Sequence, residues 1–93
     1  MFKINEYFDS KVVSIAFQTE RLPATVGVMA PGAYEFGTDA PETVQVVSGA
    51  LTIRQPGESE WRTYREGERF QVPGKAKFGV QVEVETAYLC LYG

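Results

Sequence analysis

The feature that most constrains the fold is the regular alternation of short β-type runs and turn residues along the 93-residue chain. The runs are rich in valine, isoleucine, phenylalanine, tyrosine and threonine, they end at glycine, proline, asparagine or aspartate, and no window shows helical periodicity. They predict strands at 11–17, 24–30, 33–38, 43–49, 50–55, 60–66, 69–73, 77–85 and 87–93. About nine short strands indicate an all-β sandwich or a small closed barrel, because closure or pairing must protect the sheet edges.

A chain of 93 residues can bury one hydrophobic core but not two, so we expect a single domain over residues 1–93. Within the first ten residues, the segment 5–10 fits no strand or helix pattern. We interpret them as an N-terminal arm or a turn of helix, with Tyr7 and Phe8 packed on the body of the domain.

Charge and cysteine content exclude several classes of partner. The nine basic residues are scattered and the net charge is −3, which argues against a nucleic-acid partner. The single cysteine, Cys90, lies between two leucines and is expected to be a buried apolar residue in a reducing compartment rather than a nucleophile. No segment has the length of a membrane span or the apolar core of an export signal, so we expect a cytoplasmic protein without a membrane partner.

Two sets of spaced residues resemble the two motifs of the cupin family of β-barrels. The first cupin motif has two histidines two apart, a glutamate four further on and a glycine seven after that, and the positions here are Phe36, Thr38, Glu42 and Gly49. The second has a glycine six before a proline and a histidine five after it, and the positions here are Gly67, Pro73 and Phe78, with the inner glycine one residue early at Gly74. The resemblance implies a single-domain, jelly-roll-like cupin barrel.

Three of the four metal-ligand positions of that motif have changed. Phe36, Thr38 and Phe78 offer one hydroxyl between them, and Glu42 alone cannot hold a transition metal. We therefore predict neither a bound metal nor another cofactor. The alternative function that cupins commonly have, a metal-dependent isomerase or dioxygenase, is correspondingly disfavoured.

The substituted positions predict an aromatic cavity. Tyr34, Phe36 and Thr38 share one face of a strand by period-two alternation. If that face is interior, the rings together with Phe78 would stack a flat ligand such as a nucleobase, while Glu42 would take sugar hydroxyls. The alternative is that these rings only fill a small barrel.

Gln81 has an amide that could read a base edge. Alternation places it opposite to Phe78, so it would enter the cavity only if a bulge at Gly79 shifted the strand by one residue.

Over nearly its whole length the chain also resembles a narrower family, the small cupin-type pyrimidine/purine nucleoside phosphorylases. The segments that carry this resemblance are "NEYF" (5–8), "KVVSIAF" (11–17), "VGVMAPGAYEF" (26–36), "PE" (41–42), "VSGAL" (47–51), "VPG" (72–74) before Phe78, and "YLCLY" (88–92). The resemblance implies a metal-free enzyme, a homodimer, that cleaves purine and pyrimidine nucleosides with phosphate to free base and ribose 1-phosphate.

The chemistry of phosphorolysis suggests roles for the candidate residues. A carboxylate stabilises an oxocarbenium-like state or grips ribose, so Glu42 is the catalytic candidate, with Thr38 as a hydroxyl donor; the alternative for Glu42 is a turn carboxylate after Pro41. The residues expected to bind the base are Tyr34, Phe36, Phe78 and Gln81. Lys11 and Arg21 are the candidates for phosphate, unless they are simply solvated. A barrel that binds a nucleoside or sugar without turnover remains the alternative function.

Overall fold

The computed structural model describes residues 1–93 and contains ten strands and no helix. The strands are β1 (Lys3–Tyr7), β2 (Val12–Gln18), β3 (Pro23–Met29), β4 (Gly32–Gly37), β5 (Glu42–Ser48), β6 (Ala50–Arg54), β7 (Arg62–Arg65), β8 (Arg69–Val72), β9 (Lys77–Val82) and β10 (Thr86–Tyr92). The all-β prediction is confirmed, and the nine predicted strands correspond to β2 to β10. No helix of the length and hydropathy needed to cross a membrane is present.

The strands form two antiparallel sheets. One has six strands in the order β1-β2-β3-β10-β5-β8, and the other has four in the order β4-β9-β6-β7. Strands that follow each other in the chain are placed in different sheets at several points, as in β3 to β4 and β5 to β6. The chain therefore winds around a shared interior in the manner of a jelly roll.

The core lies between the sheets because period-two alternation gives each strand one apolar face. In β6, Leu51 and Ile53 are buried while Arg54 is exposed. In β5, Val44 and Val46 point the same way. Fourteen buried residues form one hydrophobic cluster, so a single core supports both sheets.

The turn between β5 and β6 shows why one motif glycine is kept. Gly49 has a φ of +95°, and a Cβ added there would lie 2.5 Å from Oγ1 of Thr86. That buried hydroxyl donates to the carbonyl of Val84 at 2.8 Å and accepts from the amide of Ala50 at 3.2 Å. Glycine is required here because both the backbone conformation and the space exclude a side chain.

The first ten residues form a strand and a turn rather than a turn of helix. Strand β1 pairs with β2 from Lys3 opposite Ala16 to Tyr7 opposite Val12. The sequence analysis did not predict it, because four of its five side chains are exposed and the apolar alternation is missing. After β1, residues 8–10 adopt positive φ angles and bring Phe8 against the body of the domain.

Candidate active site

A cavity of about 570 Å³ lies between the two sheets and opens to solvent. This volume is within the range of about 300–1,000 Å³ that small-molecule sites occupy. Its apolar and aromatic lining residues are Tyr7, Phe8, Met29, Phe36, Gly37, Ala40, Val44, Leu51, Ile53, Phe70, Phe78, Val80, Tyr88 and Tyr92. Its polar lining residues are Ser14, Glu35, Asp39, Glu42 and Cys90.

One wall of the cavity is aromatic. Phe36 on β4 and Phe78 on β9 are opposite each other in the strand register, and their rings are stacked with centroids 5.9 Å apart at 30°. Phe8 meets Phe36 edge-on, with centroids 5.5 Å apart. The sequence prediction that Phe36 and Phe78 share an interior face therefore agrees with their positions, and the wall offers flat apolar surface to a planar ligand.

The carboxylate of Glu42 lines the same cavity. Glu42 begins β5 and is partly buried, and the Sγ of Cys90 donates a hydrogen bond of 3.4 Å to its Oε1. Burial raises the pKa of Glu42, the hydrogen bond from Cys90 lowers it, and the nearby charge of Asp39 raises it again. The net result is a raised pKa, so this carboxyl keeps its proton to a higher pH than a solvated glutamate does.

Strand β10 contributes three hydrogen-bonding side chains, Tyr88, Cys90 and Tyr92, which alternate into the cavity. Burial raises the pKa of Tyr88 to about 12 and also raises the pKa values of Cys90 and Tyr92. All three therefore stay protonated at neutral pH, and Cys90 lacks the thiolate character of a nucleophile. The sequence analysis missed both tyrosines, although the alternation in "YLCLY" places them on the face of Cys90.

Tyr88 is placed by a glycine on the neighbouring strand. Gly27 lies opposite Tyr88 in the register of β3 and β10, and a Cβ added to Gly27 would lie 2.6 Å from the tyrosine hydroxyl. Ser14 lies opposite Gly27 on the next strand, and its side chain lowers the pKa of Tyr88 against the larger effect of burial. The missing side chain at Gly27 thus lets the ring of Tyr88 lie across β3.

Two predicted site residues belong to the surrounding scaffold. Tyr34 is buried, its hydroxyl donates a hydrogen bond of 2.6 Å to the carbonyl of Ala30, and its ring packs behind Phe36 with centroids 6.1 Å apart. The hydroxyl of Thr38 donates to the carbonyl of Pro73 at 2.7 Å and accepts from the amide of Ala76 at 3.1 Å. Neither residue lines the cavity, so the structure does not bring Thr38 to the position of a catalytic donor.

Gln81 lies on the outer face of the four-stranded sheet. It is exposed, and the register of β9 with β4 runs without a shift from Lys77 to Val82, so the bulge that Gln81 would need to turn inward does not occur. Gly79 has a different reason to be a glycine. A Cβ there would lie 2.8 Å from the indole of Trp61, which covers this strand from outside.

The two predicted phosphate ligands also lie outside the cavity lining. Lys11 is exposed and directly follows the turn that carries Phe8, to whose carbonyl its amide donates at 3.1 Å. Arg21 is exposed in the loop between β2 and β3. The lining contains three carboxylates and no lysine or arginine, so the side chains around the cavity offer a phosphate no positive charge.

The loops that carry the two cupin motifs pack against each other. A Cβ added to Gly74 would lie 3.1 Å from the carbonyl of Asp39 and from the backbone nitrogen of Pro41. Together with the hydrogen bonds of Thr38, this contact joins the segment after β4 to the segment after β8. Gly74, although one residue earlier than the inner glycine of the cupin motif, therefore allows the close packing of these two loops beside the cavity.

The residues at the cupin metal positions do not fit a transition metal. Phe36 and Phe78 offer no donor atom, and the hydroxyl of Thr38 is bonded to backbone groups of neighbouring loops. No group of three or more histidine, cysteine, aspartate or glutamate side chains is arranged to hold a metal ion. Imidazole, thiolate and carboxylate ligands are what such metals prefer, so this donor set is unsuited to one.

Two antiparallel sheets in jelly-roll order around a cavity, with Gly49, Gly67 and Pro73 retained at strand ends, define this protein as a small cupin barrel. The fold is shared with the solved structure of an ethanolamine utilization protein Q from Salmonella typhimurium, with a TM-score of 0.76 at 15% identity over 99% of this chain and 93% of that one.

The chain belongs to the pyrimidine/purine nucleoside phosphorylase family, whose model matches residues 2–92. A pyrimidine/purine nucleoside phosphorylase from Alcanivorax borkumensis is 62% identical over 93 residues, which cover 100% of this chain and 99% of that relative. The solved structure of a Vibrio parahaemolyticus protein of unknown function has a TM-score of 0.96 and 47% identity, over 100% of this chain and 99% of that one. The family resemblance inferred from the sequence is confirmed.

Proposed function

We propose that this protein is a broad-specificity nucleoside phosphorylase, which cleaves purine and pyrimidine nucleosides with inorganic phosphate. In this reaction the bond between C1′ and the base nitrogen breaks, and its electron pair leaves with the base. A phosphate oxygen forms the new bond to C1′, giving ribose 1-phosphate, and the base takes up a proton. The observation that carries the proposal is that the stacked rings of Phe36 and Phe78 and the carboxylate of Glu42 line one cavity in a member of this family.

The aromatic wall is proposed to bind the base. Phe36 and Phe78 offer stacking surface without donors or acceptors, and stacking works for every base because each has a π face. This supports broad specificity. Tyr34 would act from behind the wall, by fixing the position of Phe36 through its buried ring.

Glu42 is proposed to act on the ribosyl group. When ionised it stabilises the positive charge that develops at C1′, or it accepts hydrogen bonds from ribose hydroxyls. The protonated side chains of Tyr88 and Tyr92 are proposed as donors for the negative charge that develops on the leaving base. Hydrogen-bond donation by these tyrosines does not require a general acid with a pKa near 7.

Lys11 and Arg21 remain our candidates for binding phosphate. Lys11 has the better support, because it directly follows the turn whose Phe8 lines the cavity. Substitution of each residue by glutamine should show which of the two binds phosphate. Replacement of the phosphate-binding residue should raise the KM for phosphate and leave the KM for the nucleoside nearly unchanged.

The protein is proposed to act as a cytoplasmic homodimer without a metal. The support for a dimer is an apolar stripe across the outer face of the six-stranded sheet, where Ile4, Ile15, Val26 and Leu89 are opposite one another in register. Ile15 and Val26 are 44% and 46% exposed. A contiguous exposed apolar surface of this kind is typical of an interface, and a second copy would bury it. The unpaired Cys90 suits a reducing compartment.

A second candidate function is nucleoside binding without turnover. The absence of lysine and arginine from the cavity lining favours it, since such a cavity could hold a nucleoside without phosphate.

Base release distinguishes the two functions. Purified protein is incubated with uridine or inosine, with and without phosphate, and free uracil or hypoxanthine is measured by chromatography. The phosphorylase requires release that depends on both protein and phosphate, with an equal amount of ribose 1-phosphate. Binding measured by calorimetry without any release would support the second candidate instead.

A further inference from the structure

Residues 8–10 form an unusual turn at the cavity. Phe8, Asp9 and Ser10 have φ angles of 54°, 55° and 65°, so three consecutive residues other than glycine adopt the left-handed conformation. Each such residue carries a steric cost, because its Cβ approaches the following carbonyl oxygen. Costs of this kind persist where the surrounding structure or a function requires the conformation.

The turn directs the ring of Phe8 onto the aromatic wall. Its centroid lies 5.0 Å from that of Tyr34 and 5.5 Å from that of Phe36, which it meets nearly at right angles. Despite these contacts Phe8 is 44% exposed and lines the cavity. The ring thus has one side on the protein and another that is free to contact a ligand.

The segment that carries Phe8 is held from one side only. Strand β1 is at the edge of its sheet and pairs with β2 alone. The turn is closed by the amide of Lys11, which donates to the carbonyl of Phe8 at 3.1 Å, and by the hydroxyl of Ser10, which donates to Glu6 at 3.1 Å. Edge segments with exposed hydrogen bonds open more easily than the core, so the position of Phe8 can adjust to a ligand.

We propose that Phe8 is a further base-binding residue, which covers the nucleobase against the wall of Phe36 and Phe78, and that the left-handed turn positions it. The proposal rests on the proposed function for its choice of ligand. A purine presents a larger π face than a pyrimidine. Phe8 therefore contributes more to binding inosine than to binding uridine, and it adjusts the relative specificity for the two classes.

The test compares three variants with the unchanged protein. Phe8→Ala removes the ring, Phe8→Tyr keeps an aromatic face, and Phe2→Ala is the matched control, since Phe2 is exposed and does not line the cavity. Loss of one stacking contact predicts that Phe8→Ala raises the dissociation constant and KM for inosine about tenfold, with a smaller rise for uridine. Phe2→Ala stays near the unchanged protein, Phe8→Tyr loses less affinity than Phe8→Ala because it keeps the aromatic face, and thermal unfolding verifies that each variant is folded.

A second pair of variants tests the turn without touching the ring. Asp9→Gly tolerates the left-handed conformation and should keep nucleoside binding, whereas Asp9→Val strongly disfavours it and should reproduce the effect of Phe8→Ala. Equal affinity in the two variants would overturn the positioning role of the turn.

Binding and turnover are measured separately, so the two proposals can fail separately. If the unchanged protein cleaves nucleosides and Phe8→Ala does so with the same KM, the role of Phe8 is wrong and the phosphorylase function stands. If the unchanged protein binds nucleosides without cleaving them and this binding depends on Phe8, the role of Phe8 stands and the phosphorylase function fails. If the unchanged protein neither binds nor cleaves nucleosides, both proposals are overturned.

Discussion

The thiol of Cys90 donates a hydrogen bond of 3.4 Å to Glu42 across the paired strands β5 and β10. This bond lowers the pKa of the carboxyl, whereas burial in the cavity, the larger effect, raises it. The ionisation of the proposed catalytic carboxylate therefore depends on a cysteine of the neighbouring strand. Predictions about Glu42 and Cys90 are consequently linked.

Glu42→Gln should lower kcat for uridine and inosine by about 100-fold, which is the scale of losing one preorganised electrostatic group in a transition state. Folding should be preserved, because glutamine has the same size and avoids burying a charge. Steady-state kinetics and thermal unfolding at neutral pH provide the measurement. A variant that unfolds, while its folded fraction keeps full turnover, would indicate a structural carboxylate.

The pH dependence of stability should distinguish Glu42 from other glutamates. Its pKa is raised above 4.5 in the folded protein, so the folded state binds more protons than the unfolded state between pH 4.5 and the raised value. The contribution of Glu42 to stability is therefore most favourable below pH 4.5, and it is lost as the pH rises through this window. In urea unfolding, the unchanged protein should therefore lose stability relative to Glu42→Gln as the pH rises from 4.5 to the raised pKa of Glu42. Glu58→Gln, in an exposed loop, is the control and should follow the unchanged protein.

Substitution of Cys90 should move the acid limb of the pH–rate profile. Cys90→Ala removes the donor that lowers the pKa of Glu42, so the limb of kcat/KM should shift to higher pH. Cys90→Ser keeps a hydrogen-bond donor of similar size and should shift the acid limb less. Superimposable profiles for the alanine and unchanged proteins would mean that the ionisation of Glu42 does not control the rate.

Thr38→Val should reduce the free energy of unfolding by about 1–3 kcal/mol, because it removes the buried hydroxyl that bonds both the carbonyl of Pro73 and the amide of Ala76, and each hydrogen bond contributes about 0.5–1.5 kcal/mol. Turnover per folded molecule should be retained, since Thr38 does not line the cavity. Urea unfolding and active-fraction kinetics measure the two quantities, and Thr38→Ser is the matched control. A loss of kcat in a fully folded valine variant would restore the catalytic role predicted from the sequence.

Ile15→Glu should dissociate the proposed dimer, because it places a charge in the middle of the apolar stripe on the outer face of the six-stranded sheet. Light scattering coupled to size-exclusion chromatography measures the mass directly. Glu58→Gln serves again as the surface control. A dimer that persists in Ile15→Glu would place the interface elsewhere, and a monomeric unchanged protein would contradict the dimer itself.

The residues of β4 and β9 show which side-chain positions the sequence could predict and which it could not. Phe36 and Phe78 were predicted to share an interior face, and they stack in the structure because β4 and β9 pair with these two residues opposite each other. Gln81 could enter the cavity only through a bulge at Gly79, but the register of β9 is continuous and the close approach of Trp61 accounts for Gly79. A glycine in a strand can mark either a bulge or the close approach of another side chain. The residue that decides between the two, here Trp61, is distant in sequence.

The sequence by itself determined the class of fold, because period-two alternation and turn residues are local properties of the chain, and the spacing of Gly49, Gly67 and Pro73 marked the cupin scaffold. Only the tertiary structure decided which side chains meet. The partners of Cys90 and Thr38 lie 48 and 35 residues away in the chain, and strand β1, which lacks apolar alternation, is recognisable only from its pairing with β2. Alternation tells which residues of one strand share a face. The register between strands then decides what that face contacts, and here it brought Glu42, Cys90 and the ring of Phe8 to one cavity.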